Sequence, residues 1–495
     1  MNLFRKSHIK INVKGGILSP GTLKSIVQVA RIFRMSSLSL GERQHIYLRT
    51  FVTRNELFRN RKYFDAFDFE INADVHPNIM SSYVAEDIFT SASNWLTESV
   101  YNEVLDGLDF KPKLKINVVD TTQGLVPLFT GHLNFISSKE TNFWYLYINH
   151  PSLKGMQCWP DLVYTGDIPA LAKALEVELI VNETLGGDLW SLKKLIVGYL
   201  KLNVLQMKEE VSLPRLRFPI YEGMNKQGES YWLGIYRRNN DFPVEFLEKV
   251  AQLCVETKIG SLYLTPFKSL LIKGIKEEDR IKWEKLLGKY GINIRHNISE
   301  LNWKIPDLDE EALKLKNFLS RELDSVDVRT YGLTFAIQNK PVEKAASVLI
   351  EKRHEIDLFG FIKLIPNYNI YYTSGFDPNG HEFKLFVAKR PKLLLAEELL
   401  YLCKKYYAQL THGEEVSVAV EKREVEVELV KEEKQYICQE CFTHYDEAYG
   451  DSMQKIEAGT SFESLPSTWH CPVCEAPKSS FQSKRREKTK PVYEK

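Results

Sequence analysis

Cysteine is scarce in this chain, seven in 495 residues, and too unevenly spread for a disulfide framework. Three of the seven, Cys158, Cys254 and Cys403, stand alone, as expected for small buried apolar residues in a reducing compartment. Long hydrophobic runs are absent as well: nothing approaches the roughly 18 apolar residues that cross a bilayer. The opening MNLFRKSHIKINVKGG has basic residues but no apolar h-region, so no secretory signal is expected. These absences read as a cytoplasmic protein without a membrane partner. Net charge is nearly missing too, 66 Lys and Arg against 65 Asp and Glu, which leaves no whole-chain electrostatic case for nucleic acid. Gly15, Gly16 and Gly41 form neither usual phosphate-binding pattern, and His45, His76, His132 and His150 lack metal-ligand spacing.

What is present is concentrated near the end. Cys438, Cys441, Cys471 and Cys474 form two C-x2-C pairs with 29 residues between them. Each pair lets one tight loop present two sulfurs, and two facing loops give four thiolates in a tetrahedron, a geometry that suits iron or zinc. Spacing alone leaves a zinc ribbon and an iron site equally served. Tyr436, Tyr445, Phe462, Trp469 and Phe481 supply the aromatic core that so short a segment otherwise lacks.

The run Gly459-Thr460-x-Phe462-Glu463-x-Leu465-Pro466-x-x-Trp469-x-Cys471-Pro472-x-Cys474 resembles the rubredoxins. That resemblance implies one iron in a four-cysteine cage carrying single electrons to or from a redox partner protein. Phe442 and Glu475 stand where rubredoxins usually carry Gly after each pair. A positive φ there would cost about 1 to 2 kcal/mol, against roughly 10 to 16 kcal/mol for closing a structural metal site, so metal binding is expected to survive.

The rest of the chain is long enough for about three domains, and its 44% hydrophobic and 26% charged residues are ordinary for a globular protein. Ile9, Ile11 and Val13 alternate as in a strand. Pro20 opens a helical spacing of Leu23, Ile26, Val27, Ala30 and Phe33, and Leu38-x-Leu40 and Ile46-x-Leu48 then flank Gly41-Glu42-Arg43-Gln44. The pattern returns 223 to 224 residues later: Pro20 lines up with Pro243, Val27 with Val250, Leu38 with Leu262 and Ile46 with Leu270. Such a repeat implies two related halves. A second module follows each strand–helix–strand unit. In the first, a helical region is expected from about Ala85 to Leu105, with strands at Leu133–Ile136 and Phe143–Ile148. In the second, strands are expected at Tyr331–Ile337, Gly360–Leu364, Ile370–Tyr372 and Phe383–Ala388, then a helix at Leu393–Leu410.

This layout, with Gly15-Gly16-x-x-x-Pro20, Glu42-Arg43-Gln44 and Lys111-Pro112-Lys113-Leu114-Lys115, resembles the siroheme-bearing nitrite and sulfite reductases. The resemblance implies an α+β fold with a duplicated ferredoxin-like half-domain, and siroheme whose carboxylates would face Arg43, Lys111, Lys113 and Lys115. The competing reading makes Lys113 and Lys115 the solvated face of a strand and Arg43 a surface turn residue. The family's C-x5-C and C-x3-C cluster ligands have no counterpart: between residues 276 and 410 only Cys403 occurs. No [4Fe-4S] cluster is therefore expected, and six-electron reduction is in doubt.

The expected organisation is a first half at 1–217 (half-domain 9–72, α+β module 73–205) and a second at 218–410 (half-domain 218–275, module 276–410). A charged linker at 411–435, a rubredoxin-like domain at 436–481 and a basic tail at 482–495 follow. Three functions stay open on these residues: an iron electron carrier tethered to a reductase-like body, a siroheme oxidoreductase fed by its own iron site, and a zinc-ribbon interaction protein.

Overall fold

The computed structural model describes residues 7–50, 59–89, 95–181, 188–211, 223–294, 298–328, 330, 332–338, 346–353, 366–380, 382–412, 433–440, 444–445, 447, 450–451, 454, 456–457, 459–472 and 476–486. The chain divides into a large unit, Met1–Val416, and a small one, Ser417–Lys495. Among the described residues no helix is long and apolar enough to cross a membrane.

The repeat expected from the sequence is a duplicated α+β fold. In the first half-domain the strands run in the order Phe242–Pro243, Ser37–Leu40, Ile46–Thr50, Ser7–Ile11, Phe69–Ile71. In the second the order is Ile17–Leu18, Leu262–Leu264, Ser269–Lys276, Ser230–Tyr236, Met224–Gln227. The first four places correspond, and in each order the first strand comes from the other half; the fifth strand follows the repeated unit in the first half-domain and precedes it in the second. Phe242 pairs with Leu38, and Leu18 with Leu262. This exchange of two-residue strands was invisible in the sequence, because a two-residue strand has no periodicity to read.

Each half-domain carries one 13-residue helix among the described residues. Pro20–Ile32 starts on Ser19, whose side chain accepts from the Thr22 N–H at 3.0 Å, and Pro20 fills a first-turn position that needs no N–H. Its Leu23, Ile26, Val27 and Ala30 are buried. The repeat helix, Val244–Glu256, buries Phe246, Leu247, Val250 and Ala251. Both faces enter one core shared by the two half-domains, so neither half-domain is a closed unit alone.

The modules repeat as well. In the first, Met80–Ser81, Ile116–Val119 and Leu133–Ser137 are parallel, and Phe143–Ile148 and Asp161–Tyr164 then add antiparallel. In the second, Trp303–Lys304, Phe335–Gln338 and Val348–Arg353 are parallel, followed antiparallel by Asn367–Thr373 and Phe383–Pro391. Central strands covered on both faces read as continuous apolar runs; Ile116–Val119 is buried at every position. Each module has its own core.

The structure moves some expected elements. The helical region from Ala85 narrows to Glu98–Gly107, because residues 83–89 close into turns bonded to the Ser82–Ala85 carbonyls. The strand Val348–Arg353 and the helices Ile168–Val181, Arg280–Lys289 and Glu310–Ser325 were not foreseen, whereas the last helix, Leu395–His412, was. The strand expected at 360–364 and residues 413–432 of the expected linker lie outside the described residues.

Candidate metal centre and a basic recess

The small unit is a three-stranded antiparallel sheet in the order His444–Tyr445, Glu433–Cys438, Phe481–Arg486. Its central strand delivers Cys438, opposite Phe481, to a fully buried position. Cys471, only 1% exposed, is placed by a loop whose backbone closes on itself, Cys471 N–H donating to the Ala476 carbonyl at 2.8 Å. Five rings pack around these two thiols. Phe462 stacks on Tyr436 at 4.0 Å between centroids and meets Tyr445, Trp469 and Phe481 within 6 Å. The polar ends of the rings are tied off: Trp469 Nε1 donates to Asp451 at 3.0 Å, the Tyr445 hydroxyl to the Thr460 carbonyl at 3.0 Å, and the Tyr436 hydroxyl to Glu463. Cys441 and Cys474 lie outside the described residues, as do Phe442 and Glu475. The described donors, two buried sulfurs in a dry aromatic frame, have the chemistry of a soft-ligand metal site. The sheet also extends the unit beyond the expected limits, from Glu433 and through Arg486, since neither flank carries a Pro or Gly to end the ladder.

The large unit holds a second group of functional side chains where the turn 41–45 meets both modules. Arg43 is buried and anchored on backbone. Its Nε and Nη2 donate to the Asn78 carbonyl at 3.2 and 3.0 Å, and Nη2 reaches the Ile116 carbonyl and Asn117 Oδ1, both at 3.1 Å. Its Nη1 is buried without a partner among the described residues. Burial lowers the guanidinium to about 10. Lys115 and Lys304 share the recess: burial, then Arg43, lowers Lys115, while burial pushes Lys304 down to about 8 with Arg43 and Lys268 adding to it. His132, which accepts from the Lys115 N–H at 3.2 Å, is pushed to about 4 by burial and Lys115.

Two carboxyls enter among these cations. Glu42 is raised by burial and by Asp307. Asp307 is held well below the usual carboxylate range: burial opposes ionisation, but Lys268 at 2.8 Å and His45 at 3.2 Å outweigh it. The Glu42 N–H also donates to Asp307, at 3.1 Å. Gly41 makes the turn this tight; a Cβ there would lie 2.0 Å from His45 Nε2. Next to it Gln44, at φ 57°, donates to the Ser81 and Leu264 carbonyls at 2.9 and 3.0 Å and accepts from the Ser81 N–H at 2.9 Å, so it joins both halves.

Residues 435–481 match the family model described as rubredoxin. Over 46 residues, 9% of the chain, the sequence is 52% identical to the probable rubredoxin HupI of Bradyrhizobium diazoefficiens, covering 67% of that protein. The chain belongs to the rubredoxin family through this segment. Rubredoxin-2 of Chlorobaculum tepidum is 50% identical to the rubredoxin domain over 48 residues, 10% of this chain and 92% of that one. Outside the rubredoxin domain the likeness is of fold. The structure of the NirA protein of Mycobacterium tuberculosis superposes with a TM-score of 0.63 over 82% of each chain, at 16% identity.

Of the body residues named from the sequence, the structure brings Arg43 and Lys115 together. Lys111 and Lys113 are exposed, Lys111 pairing with Asp68 at 2.6 Å. Lys268, Lys304, Asp307 and His132 were not named. Lys268 had a signal, since it repeats Gln44 at an offset of 224 and shares its positive φ, 55° against 57°; Lys304, on the strand Trp303–Lys304, and Asp307, in the loop after it, lie far along the chain and had none. The single body cysteines fall in three different places: Cys254 in the half-domain core, Cys403 in the core of the second module, and Cys158 half-buried on the first module's sheet. Burial pushes the Cys254 and Cys403 thiols up to about 12.

Proposed function

We propose that this chain is an iron-dependent electron-transfer protein, a rubredoxin-type one-electron carrier on the same chain as a body with a nitrite/sulfite reductase-like fold, serving nitrite or sulfite assimilation through a redox partner protein. The observation that carries this reading is the pair of buried thiols, Cys438 and Cys471, inside the aromatic frame of a segment that matches rubredoxin. With Cys441 and Cys474 they would hold one iron, which when bound supplies reversible one-electron transfer. The surrounding rings exclude water, and the charged ends of Glu463 and Asp451 are committed to Tyr436 and Trp469. Metal analysis and an absorption spectrum of the purified chain test this. One iron per chain, with thiolate-to-iron charge-transfer bands that bleach on one-electron reduction, is the expected result. Stoichiometric zinc in a colourless protein from iron-replete cells would favour an interaction module instead.

A second reading rests on Arg43 Nη1, buried and unpartnered beside Lys115 and Lys304. An uncompensated guanidinium N–H costs about 1 to 3 kcal/mol, which an anionic group would offset. In this reading the body takes siroheme, with Arg43 and Lys115 facing its carboxylates and Lys111 and Lys113 at the rim. It has no [4Fe-4S] cluster, because three thiols in three separate places supply at most one ligand at any centre. Spectroscopic titration of the full chain with siroheme, alongside an assay of acid-labile sulfide, separates the cases. About four labile sulfides per chain, the content of a [4Fe-4S] centre, would sink the cluster-free reading.

A further inference from the structure

Gln454 lies outside the aromatic frame of the small unit, yet it is tied to the segment that carries the chain into the second cysteine pair. In that segment every backbone polar group from the Trp469 N–H to the Cys471 N–H is bonded. Three of the five bonds are to backbone. The Trp469 N–H donates to the Pro466 carbonyl at 3.0 Å, the Trp469 carbonyl accepts from the Lys478 N–H at 3.2 Å, and the Cys471 N–H donates to the Ala476 carbonyl at 2.8 Å. The other two go to one side chain: Gln454 Nε2 donates to the His470 carbonyl at 2.7 Å, and Gln454 Oε1 accepts from the His470 N–H at 3.2 Å. His470 bridges to Pro477 on one edge, and on the other the Gln454 amide stands where the peptide of a neighbouring strand would.

Gln454 is itself held. Its loop closes where Asp451 and Ile456 exchange backbone bonds at 3.0 and 2.8 Å, beside Gly450 at φ 65°, where a Cβ would lie 2.5 Å from the Glu457 carbonyl oxygen. The buried Asp451 carboxylate accepts from the Gln454 N–H at 3.2 Å and from Gln454 Nε2 at 2.9 Å. The same Asp451 oxygen that takes Nε2 also takes the Trp469 indole. One loop thus grips the ring of residue 469 and both polar groups of residue 470, immediately before the Cys471 thiol. Glutamine suits this place because its planar amide accepts and donates at once, whereas a carboxylate only accepts.

We propose that Gln454 is a positioning residue for Cys471: it fixes the backbone behind that sulfur, so that the thiolate stays in place and away from water in both oxidation states of the site. This rests on the reading of the small unit as an iron-binding electron carrier. Groups that orient a ligand set metal affinity, and water reaching a thiolate favours the more negative, reduced site and so raises the potential. The test compares the full chain with Q454M, which keeps the side chain's length without its amide, and with Q454E. K478M is the matched control, since it removes two side-chain bonds to backbone carbonyls, those of Glu463 and Leu465, elsewhere in the same domain. Q454M should take up its metal in full, release it to excess chelator about 10-fold faster than wild type, and show a higher midpoint potential. Q454E, which sets a carboxylate against the His470 carbonyl and Asp451, should release metal at least as fast. K478M should release it at the wild-type rate and should not raise the potential. Wild-type release and potential in Q454M, or the same two changes in K478M, would overturn the assignment. If the purified chain carries zinc, the iron reading fails while the release rates still decide the role of Gln454.

Discussion

In the rubredoxin domain nine side chains form the described core, and five of them are aromatic; only Leu465 and Ala476 are aliphatic, and the remaining two are Cys438 and Cys471. In the core shared by the half-domains, five of 35 buried residues are aromatic and the rest are almost all Ile, Leu and Val. The difference follows from size. A segment of under fifty residues cannot bury enough aliphatic surface to offset its chain entropy, so it relies on large rings and on a metal. The half-domain core, with two halves interleaved through exchanged strands, is built mainly from aliphatic side chains instead.

The largest effect that would sharpen this comparison is loss of a proposed metal ligand. Cys471→Ser should abolish iron binding and unfold the rubredoxin domain, because closing such a site is worth roughly 10 to 16 kcal/mol. The calorimetric transition of the body should stay where it is. A rubredoxin-domain transition that survives without iron would break the comparison.

Next comes the aromatic frame. Trp469→Ala empties the space between Tyr445 and Phe481 and leaves Asp451 without its indole partner, so it should cost about 3 to 5 kcal/mol. Thermal bleaching of the iron chromophore would report it. Iron should still bind at low temperature.

The body is most sensitive at a polar point. Asp307→Ala removes the ion-pair partner of Lys268 and His45 and should cost about 3 kcal/mol, read from the denaturant midpoint. The folded pKa of Asp307 is depressed, so its contribution is complete above the ordinary carboxylate value and disappears as pH falls through the lowered one. The gap between wild type and Asp307→Ala should therefore close only in strong acid. Gln44→Ala, which removes bonds to Ser81 and Leu264, should cost about 1 to 3 kcal/mol.

The smallest effect has the opposite sign. Glu42 is raised by burial and Asp307, so its ionised form is disfavoured in the folded state. Glu42→Gln should stabilise the body above the raised value, and the gain should fade as pH falls to the ordinary Glu range near 4. A melting temperature that drops at neutral pH would show Glu42 to be paired as a carboxylate.

The sequence by itself determined the rubredoxin domain almost completely. All five aromatic residues and both described cysteines lie in the core where the motif placed them, because a short metal site fixes its ligands and packing residues at fixed local spacing. It also determined the duplication, through Pro20 with Pro243 and Val27 with Val250, since helices that pack alike keep the same apolar period. Only the tertiary structure decided that Ile17–Leu18 and Phe242–Pro243 change places between the half-domains. It also decided that of four candidate basic residues Arg43 and Lys115 face the recess. The Asp307 loop that fills part of that recess comes from 265 residues along the chain. Contacts of that range are set by how elements pack, and a single sequence carries no local pattern from which they can be read.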